Sequence, residues 1–253
     1  MEEGKQEQTE KNEVVKVEKK EIVKVDKKKD DVLQPVNKKG RHVNGMLNFL
    51  RILIIPFIWI LYPFRFYGKR KVGDGAYIYI GNHYRIWDVA YPACTTSEGI
   101  RYVAKSELQK NNFIAPFARK MKLIYVDRNG EDVRGLMTLL KCLKNGEKIS
   151  IYPEGTRNKT NEDLLPFYDG AAMLSIKTKT PIVPILIYKK TKPFRLNHII
   201  VGEPFEMSEY YGQRLTKELM AEANEKLRQK LLDMRKEHTE MLESKKHKKK
   251  SDR

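Results

Sequence analysis

Residues 76–88 read AYIYIGNHYRIWD, and the reading of this stretch decides the fold. The β-branched and aromatic run over 76–80 predicts a buried strand, which Gly81 and Asn82 break. His83 follows at once, and Asp88 comes five positions later. Residues five apart on a regular helix are roughly 140° out of phase, so a helix alone does not bring these side chains together. A turn leading into a helix does. A histidine fixed at a strand end, with a carboxylate in reach of its ring, is half of a general-base device.

Downstream the same kind of strand recurs. Strands are predicted over 76–80, 101–104, 123–126, 148–151, 182–187 and 198–201. Helices are predicted over 88–95, 114–120, 132–144 and 170–178, with breaks at Asn145-Gly146 and Thr180-Pro181. This alternation predicts an α/β fold, a mostly parallel central sheet flanked by helices. A long charged helix over about 215–242 follows, with Leu215, Leu219, Ala223, Leu227 and Leu231 as its apolar positions. It either packs on the body or projects from it.

Upstream lies LNFLRILIIPFIWILYPFRF, residues 47–66. Its uninterrupted apolar core, 52–64, is shorter than the roughly 20 residues that a simple transmembrane helix needs. Pro56 and Pro63 break it, and Arg51 and Arg65 flank it. Trp59, Tyr62 and Tyr67 are of the types that favour the headgroup region. The segment reads as a membrane-associating helix, straight or bent, in one leaflet, with Lys69, Arg70 and Lys71 against anionic lipid. A buried core helix is the alternative. Residues 1–45 alternate Lys, Glu, Val and Asp and read as a charged, disordered extension. The expected organisation is therefore 1–45 extension, 46–71 apolar segment, 72–210 α/β domain, 211–243 helix and 244–253 basic tail, the last also expected to be disordered.

The chain of 253 residues carries 50 Lys and Arg against 33 Asp and Glu, a formal +17. Residues 1–45 hold 12 basic against 10 acidic side chains and 244–253 hold 6 against 1, so 46–243 still carries +10. A basic body suits nucleic acid, an anionic membrane or a phosphorylated substrate. The two cysteines, Cys94 and Cys142, argue against a disulfide framework or a cysteine zinc site and fit a reducing compartment. The charged start, Met1-Glu2-Glu3, carries no secretory signal pattern. Dinucleotide-binding and P-loop glycine patterns, zinc spacings and RNA-binding aromatic motifs are all missing from the sequence.

Four short segments follow predicted strands, where open α/β sheets hold their ligands. They are Asn82-His83 through Asp88, Lys105-Ser106-Glu107-Leu108, Val126-Asp127-Arg128 and Pro153-Glu154-Gly155-Thr156-Arg157. Singly, each is ordinary: a structural histidine, solvated cations, a paired glutamate. Together they suggest His83 as general base, with Asp88 accepting from the other ring nitrogen and stabilising the imidazolium. Lys105, Arg128 and Arg157 suit a phosphate dianion. Gly155 permits close backbone approach, and Thr156 can donate a hydroxyl hydrogen bond. With no serine in a nucleophile elbow and neither cysteine in these segments, the transferred group passes directly to its acceptor.

NHYRIWD resembles the Asn-His-x4-Asp motif of the glycerolipid acyltransferases. VAKSELQKNNFIAPFARKMKLIYVDR resembles the family's Lys-x-Glu-Leu block ending in Asp-Arg, IYPEGTRN its Pro-Glu-Gly-Thr-Arg block and TPIVPILI its closing strand. The resemblance covers residues 48–202, and Glu-Gly-Thr-Arg, in place of Glu-Gly-Gly-Arg, leans toward the 1-acylglycerol-3-phosphate acyltransferases. It implies His83 and Asp88 as the catalytic pair, with His83 deprotonating the sn-2 hydroxyl of lysophosphatidate for attack on an acyl thioester. It implies Lys105, Arg128 and Arg157 on the acceptor phosphate, with Glu154, Gly155 and Thr156 shaping that pocket and the Pro184 segment lining the acyl side. No metal and no cofactor is implied beyond acyl-CoA or acyl carrier protein as co-substrate. The implied partner is the phospholipid bilayer, at the cytoplasmic face of the cell membrane in a peripheral or monotopic manner, and no nucleic acid; oligomeric state stays open.

Two departures stand out. Tyr168 and Asp169 occupy positions where the family carries basic residues, and Arg85 and Trp87 are bulky residues inside the first motif. The alternatives are the same chemistry on another lysophospholipid or on glycerol-3-phosphate, and a non-catalytic basic membrane- or nucleic-acid-binding module.

Overall fold

Strands separated by helices can pair in parallel, because a crossover of a dozen or more residues returns the chain to the same end of the sheet. The computed structural model describes residues 33–38, 40–110, 115–127 and 133–251. In chain order these form α1 (Gly45–Leu61), β1 (Phe64–Gly68), β2 (Ile78–Gly81), a 3₁₀ turn (Ile86–Val89) running into the short α2 (Ala90–Ala93), β3 (Ile100–Lys105) and a second 3₁₀ turn (Ser106–Lys110). Then come α3 (Ala115–Lys120), β4 (Ile124–Val126), α4 (Val133–Lys144), β5 (Lys148–Ile151), α5 (Gly170–Thr178), β6 (Ile182–Ile187), β7 (Asn197–Val201), a third 3₁₀ turn (Ser208–Tyr210) and α6 (Lys217–Ser251).

The seven strands make one sheet in the order β1-β7-β6-β2-β5-β3-β4. Strands β2 to β6 are mutually parallel. After the connection 188–196, β7 returns antiparallel to β6, and β1 pairs parallel with β7 at the edge. Central strands β2, β5 and β6 are buried at every position, as apolar strands covered by helices on both faces must be. Tyr79, Tyr91, Ile100, Val183, Ile185 and Ile199 anchor one face of the core. Along α6 the buried stripe Met220, Ala223, Leu227, Leu231, Met234 and His238 follows the three-four spacing of a helix packed on a body.

Register then fixes the working edge. Ile80 lies opposite Ile151, so two and three residues on, Asn82 and His83 emerge level with Pro153 and Glu154. Tyr102 pairs with Ser150 and Lys105 with Val126, which brings the ends of β3 and β4 to the same edge.

Three expectations need correction. Pro56 does not break the apolar segment: α1 runs through it and ends at Leu61. Pro63 does redirect the chain, and Phe64–Gly68, expected to stay with the apolar segment, enters the sheet beside β7. The sheet thus begins upstream of residue 72. The long helix continues to Ser251, through residues expected to form a disordered tail. Nor is α1 a buried core helix. Met46, Leu50 and Ile55 pack on the core, whereas Phe49, Ile52, Leu53, Phe57, Trp59 and Ile60 are exposed. Among the described residues no helix is long and apolar enough to cross a membrane.

The charged extension also ends earlier than composition suggests. Residues 1–32 lie outside the described residues, but Gln34, His42 and Asn44 are buried. Gln34 N donates to Glu147 Oε1 at 3.2 Å, Gly99 N to the His42 carbonyl at 2.8 Å, and His42 Nε2 meets the Asn145 carbonyl at 2.8 Å. Asn44 caps α1 by accepting from Leu47 N at 3.0 Å while its amide donates to the Met121 carbonyl at 3.1 Å. Arg51 fastens the next turn, donating to the carbonyls of Ala93, Ser97 and Glu98.

Two predictions follow from these contacts. Asn44→Ala removes a cap and a buried tie together and lowers unfolding free energy by about 2 kcal/mol, read from the urea midpoint. At the other side of the molecule, His198 Nδ1 on β7 lies 2.8 Å from His238 Nε2 on α6, under Tyr67 and Tyr188. Burial, then the neighbouring His198, pushes His238 down to about 4; burial, then Arg65 and Lys245, lowers His198 as well. Unfolded, both take up protons near 6.5, so their contribution is whole above that pH and is lost as pH falls toward 4. The melting temperature should drop between pH 7 and pH 5, and by less in His238→Gln.

Candidate active site

After β2 the chain must turn, and Asp88 sets the turn. Its carboxylate is fully buried, and Oδ2 accepts from the backbone N–H groups of Tyr84 and Arg85, both at 2.6 Å. The same oxygen lies 3.1 Å from His83 Nδ1. Five residues that no helix would superpose are thus folded around one oxygen, in the turn-into-helix geometry that the spacing demands. With Nδ1 held by the carboxylate, Nε2 is the free nitrogen, making no hydrogen bond among the described residues. The imidazole stacks on Tyr152, centroids 4.4 Å apart and planes 26° off parallel.

A second buried carboxylate holds the neighbouring loop. Glu154 is 2% exposed; Oε1 accepts from His83 N at 3.1 Å and Oε2 from Leu165 N at 3.0 Å. Burial raises its pKa, and the two backbone donors act against that rise. Both oxygens are committed to backbone, so Glu154 ties the two loops together and is not itself turned toward a ligand. Gly155 follows with φ of +65°, a left-handed conformation that suits glycine and reverses the chain. Asn158 N then donates to the His83 carbonyl at 2.6 Å. Asn158 itself is fully buried and holds a tight turn to Thr160.

Two of the three expected cations, Lys105 and Arg157, stand at the same edge. Lys105, at the end of β3, is half exposed, and its closest acid is Glu107 at 3.9 Å. Thr156 and Arg157 are exposed, and Arg157 has no ion-pair partner among the described residues. Arg128 lies outside the described residues; Asp127, just before it, follows the end of β4. The fold brings His83, Asp88, Glu154 and Gly155 into one contact network, with Lys105, Thr156 and Arg157 around its rim.

Other residues that the sequence singled out have contacts that no spacing reveals. The Asn82 side chain continues the ladder past Gly81, accepting from Ile187 N at 2.8 Å and donating to the Ile187 carbonyl at 2.9 Å. An asparagine thereby ends a strand pair without leaving a buried peptide unsatisfied. Arg85 turns toward the connection after β6: its Nε donates to the Thr191 carbonyl at 3.1 Å, and its guanidinium lies over Trp87 and Tyr62. Tyr168 is exposed and Asp169 accepts from the Asn224 amide.

Beneath the pair, Asp88, Tyr91, Ser150 and Tyr152 line a cavity of about 10 Å³. That is far below the several hundred Å³ of a ligand site, so this cavity is not where a substrate sits. Burial pushes the Cys94 thiol up to about 11 and the Cys142 thiol up to about 12, so neither is a thiolate at neutral pH. Among the described residues no group of three or more His, Cys, Asp or Glu side chains is arranged to hold a metal ion.

A mostly parallel α/β sheet of this kind is matched in known proteins. Residues 63–188 match the family described as Acyltransferase. The chain is 33% identical over 144 residues to the 1-acyl-sn-glycerol-3-phosphate acyltransferase of Bacillus subtilis, covering 53% of this chain and 68% of that one. Enzymes of the same name from Helicobacter pylori and Saccharomyces cerevisiae are 32% and 30% identical. The matches cover 49% and 67% of this chain, and 54% and 59% of those two proteins. The crystal structure of the 1-acyl-sn-glycerophosphate acyltransferase PlsC of Thermotoga maritima shares the fold, with a TM-score of 0.57 at 21% identity over 74% of this chain and 79% of that one. The chain belongs to the acyltransferase family, among the 1-acyl-sn-glycerol-3-phosphate acyltransferases.

Asn82→Ala strands a buried N–H and a buried carbonyl of β6. It should lower unfolding free energy by about 3 kcal/mol in urea titrations, more than a surface asparagine would.

Proposed function

We propose that the protein transfers a fatty acyl group from an acyl thioester, of coenzyme A or of acyl carrier protein, to the sn-2 hydroxyl of lysophosphatidate, giving phosphatidate. The observation that carries this reading is the His83–Asp88 pair, with Nδ1 held by a buried carboxylate and Nε2 free. The names of the related enzymes from Bacillus subtilis, Helicobacter pylori and Saccharomyces cerevisiae support the acceptor.

The chemistry follows from the pair. His83 Nε2 takes the hydroxyl proton as the acceptor oxygen attacks the thioester carbonyl. Asp88 holds the proton on Nδ1 and stabilises the imidazolium. The tetrahedral intermediate collapses, the carbon–sulfur bond breaks, and the leaving thiolate takes the proton from Nε2. No covalent acyl-enzyme is needed. The acceptor phosphate lies against Lys105 and Arg157, with Arg128 as the third cation in the same reading, and Thr156 adds a hydroxyl donor. The exposed apolar side of α1 rests in the outer part of one leaflet, with the enzyme at the cytoplasmic face of the membrane as a peripheral or monotopic protein. That arrangement brings the rim to a lipid acceptor. A second reading, the same transfer to another lysophospholipid, is favoured by Tyr168 and Asp169, which supply no cation to the loop before α5.

The test is acyl transfer to lysophosphatidate with each thioester in turn. Wild type should form phosphatidate, and His83→Ala should lose at least a thousandfold in kcat with its melting temperature nearly unchanged. Arg157→Ala should chiefly raise KM for the acceptor. No product from folded wild type, with turnover on a phosphodiester lysolipid, would replace the first reading by the second.

A further inference from the structure

The connection from β6 to β7, residues 188–196, reads YKKTKPFRL, and no Asp or Glu occurs anywhere between Gly170 and Gly202. Lys189, Lys190, Lys192 and Arg195 are all exposed, and none has an acidic partner among the described residues. Between them stand two large apolar side chains in the open, Phe194 at 74% and Leu196 at 55% exposure. Solvated surface explains the lysines; it does not explain an exposed phenylalanine beside them.

This connection is held in shape. Asn197 accepts from Lys192 N at 2.9 Å, and its amide donates to the carbonyls of Lys192, Arg195 and Pro63. Phe194 sits at a φ of +54°, which a non-glycine residue adopts only under such constraint. Its N–H donates at 2.8 Å to the Leu61 carbonyl, at the end of α1. The apolar tip is therefore fixed beside the helix end that exposes Phe57, Trp59 and Ile60. From its other flank, Thr191 accepts from Arg85, inside the His83–Asp88 turn.

Resting on the membrane reading above, we infer that residues 189–196 are a second membrane-contacting element that selects anionic phospholipid. Phe194 and Leu196 enter the headgroup–acyl boundary, and Lys189, Lys190, Lys192 and Arg195 lie on the phosphate plane. Charge complementarity chooses this partner: an apolar tip ringed by unpaired cations matches an anionic bilayer surface, where each cation adds about fivefold to partitioning. The Arg85–Thr191 hydrogen bond then ties the turn that carries His83 to the interface itself.

The experiment is vesicle co-sedimentation of the full chain on pure phosphatidylcholine and on phosphatidylcholine with phosphatidylglycerol. In the quadruple variant K189Q/K190Q/K192Q/R195Q, partitioning onto the anionic vesicles should fall tenfold or more, with less than a twofold change on neutral vesicles. Phe194→Ser should weaken binding to both compositions. In detergent-dispersed assays both variants should keep activity within twofold of wild type, since none of these side chains contacts the pair. Unchanged anionic selectivity in the quadruple variant overturns the inference, as does tighter binding of wild type to a short DNA duplex than to the anionic vesicles. Loop-dependent vesicle binding by a wild type that does not acylate lysophosphatidate would leave this inference standing and remove only the acceptor assignment.

Discussion

A buried carboxylate oxygen that gathers two backbone N–H groups and an imidazole is the constraint from which the rest of this site follows. Asp88 Oδ2 accepts from Tyr84 N, Arg85 N and the His83 ring. A carboxylate taken from water needs such donors, and all of them converge on Oδ2, Oδ1 being buried without a hydrogen-bond partner among the described residues. The chain after β2 therefore has little choice but to wrap back on itself within five residues. That wrapping orients the histidine, sends Arg85 toward Thr191 and sets the 3₁₀ turn that starts at Ile86. Glu154 repeats the device on the neighbouring strand, and by accepting from His83 N it joins the two loops into one piece. Two acids in the sequence of the working edge thus serve as internal scaffolding, and the cations are left to face outward.

The two ends of the sheet treat charge in opposite ways. At the amino end of β5, Lys148 is fully buried and donates to Glu98 Oε1 at 2.7 Å and to the Gly75 carbonyl at 2.9 Å. Burial lowers its pKa even with that partner. Arg101 faces Glu147 there at 3.8 Å, and Gln34 and His42 close over this end. Charges buried at that depth persist because each is matched, and losing one partner would strand the other. At the carboxyl end, Lys105 and Arg157 remain at the rim where a ligand's charge can reach them. Buried, paired charges gather at one edge and exposed cations at the other, where open α/β sheets hold their ligands.

Much of this was legible in the residues. The strands at Lys148–Ile151 and Ile182–Ile187 and the helix at Gly170–Thr178 fall where periodicity and breakers put them. His83 and Asp88 were legible as a pair because a strand end, a glycine and a spacing incompatible with one helix face leave few geometries. Other features were not. Phe64–Gly68 is apolar and aromatic, which fits a membrane-facing segment as well as a strand, and only its pairing with the distant Asn197–Val201 decides. Pro56 reads as a breaker, yet α1 carries it because Arg51, Asn44 and the packed Met46, Leu50 and Ile55 hold the helix from its other turns. Gln34 and His42 look like part of the charged extension, because the partners that hold them, Glu147, Gly99 and Asn145, are far away in sequence.

The sequence by itself determined what is local: which runs make strands and helices, that helices separate the strands of a parallel sheet, and that a histidine and an aspartate lie in one turn. It also supplied the order of motifs on which the family resemblance rests. Tertiary structure alone decided what depends on long-range register and burial. The alignment of Ile80 with Ile151 brings Glu154 under His83, and no spacing between residues 83 and 154 encodes it. Likewise Asn82 completes a ladder with Ile187, and the β6–β7 connection sits against the end of α1, because hydrogen-bond partners on separate strands are chosen by the packed sheet. Side-chain type is written residue by residue; which buried donor meets which acceptor is settled only when the strands lie side by side.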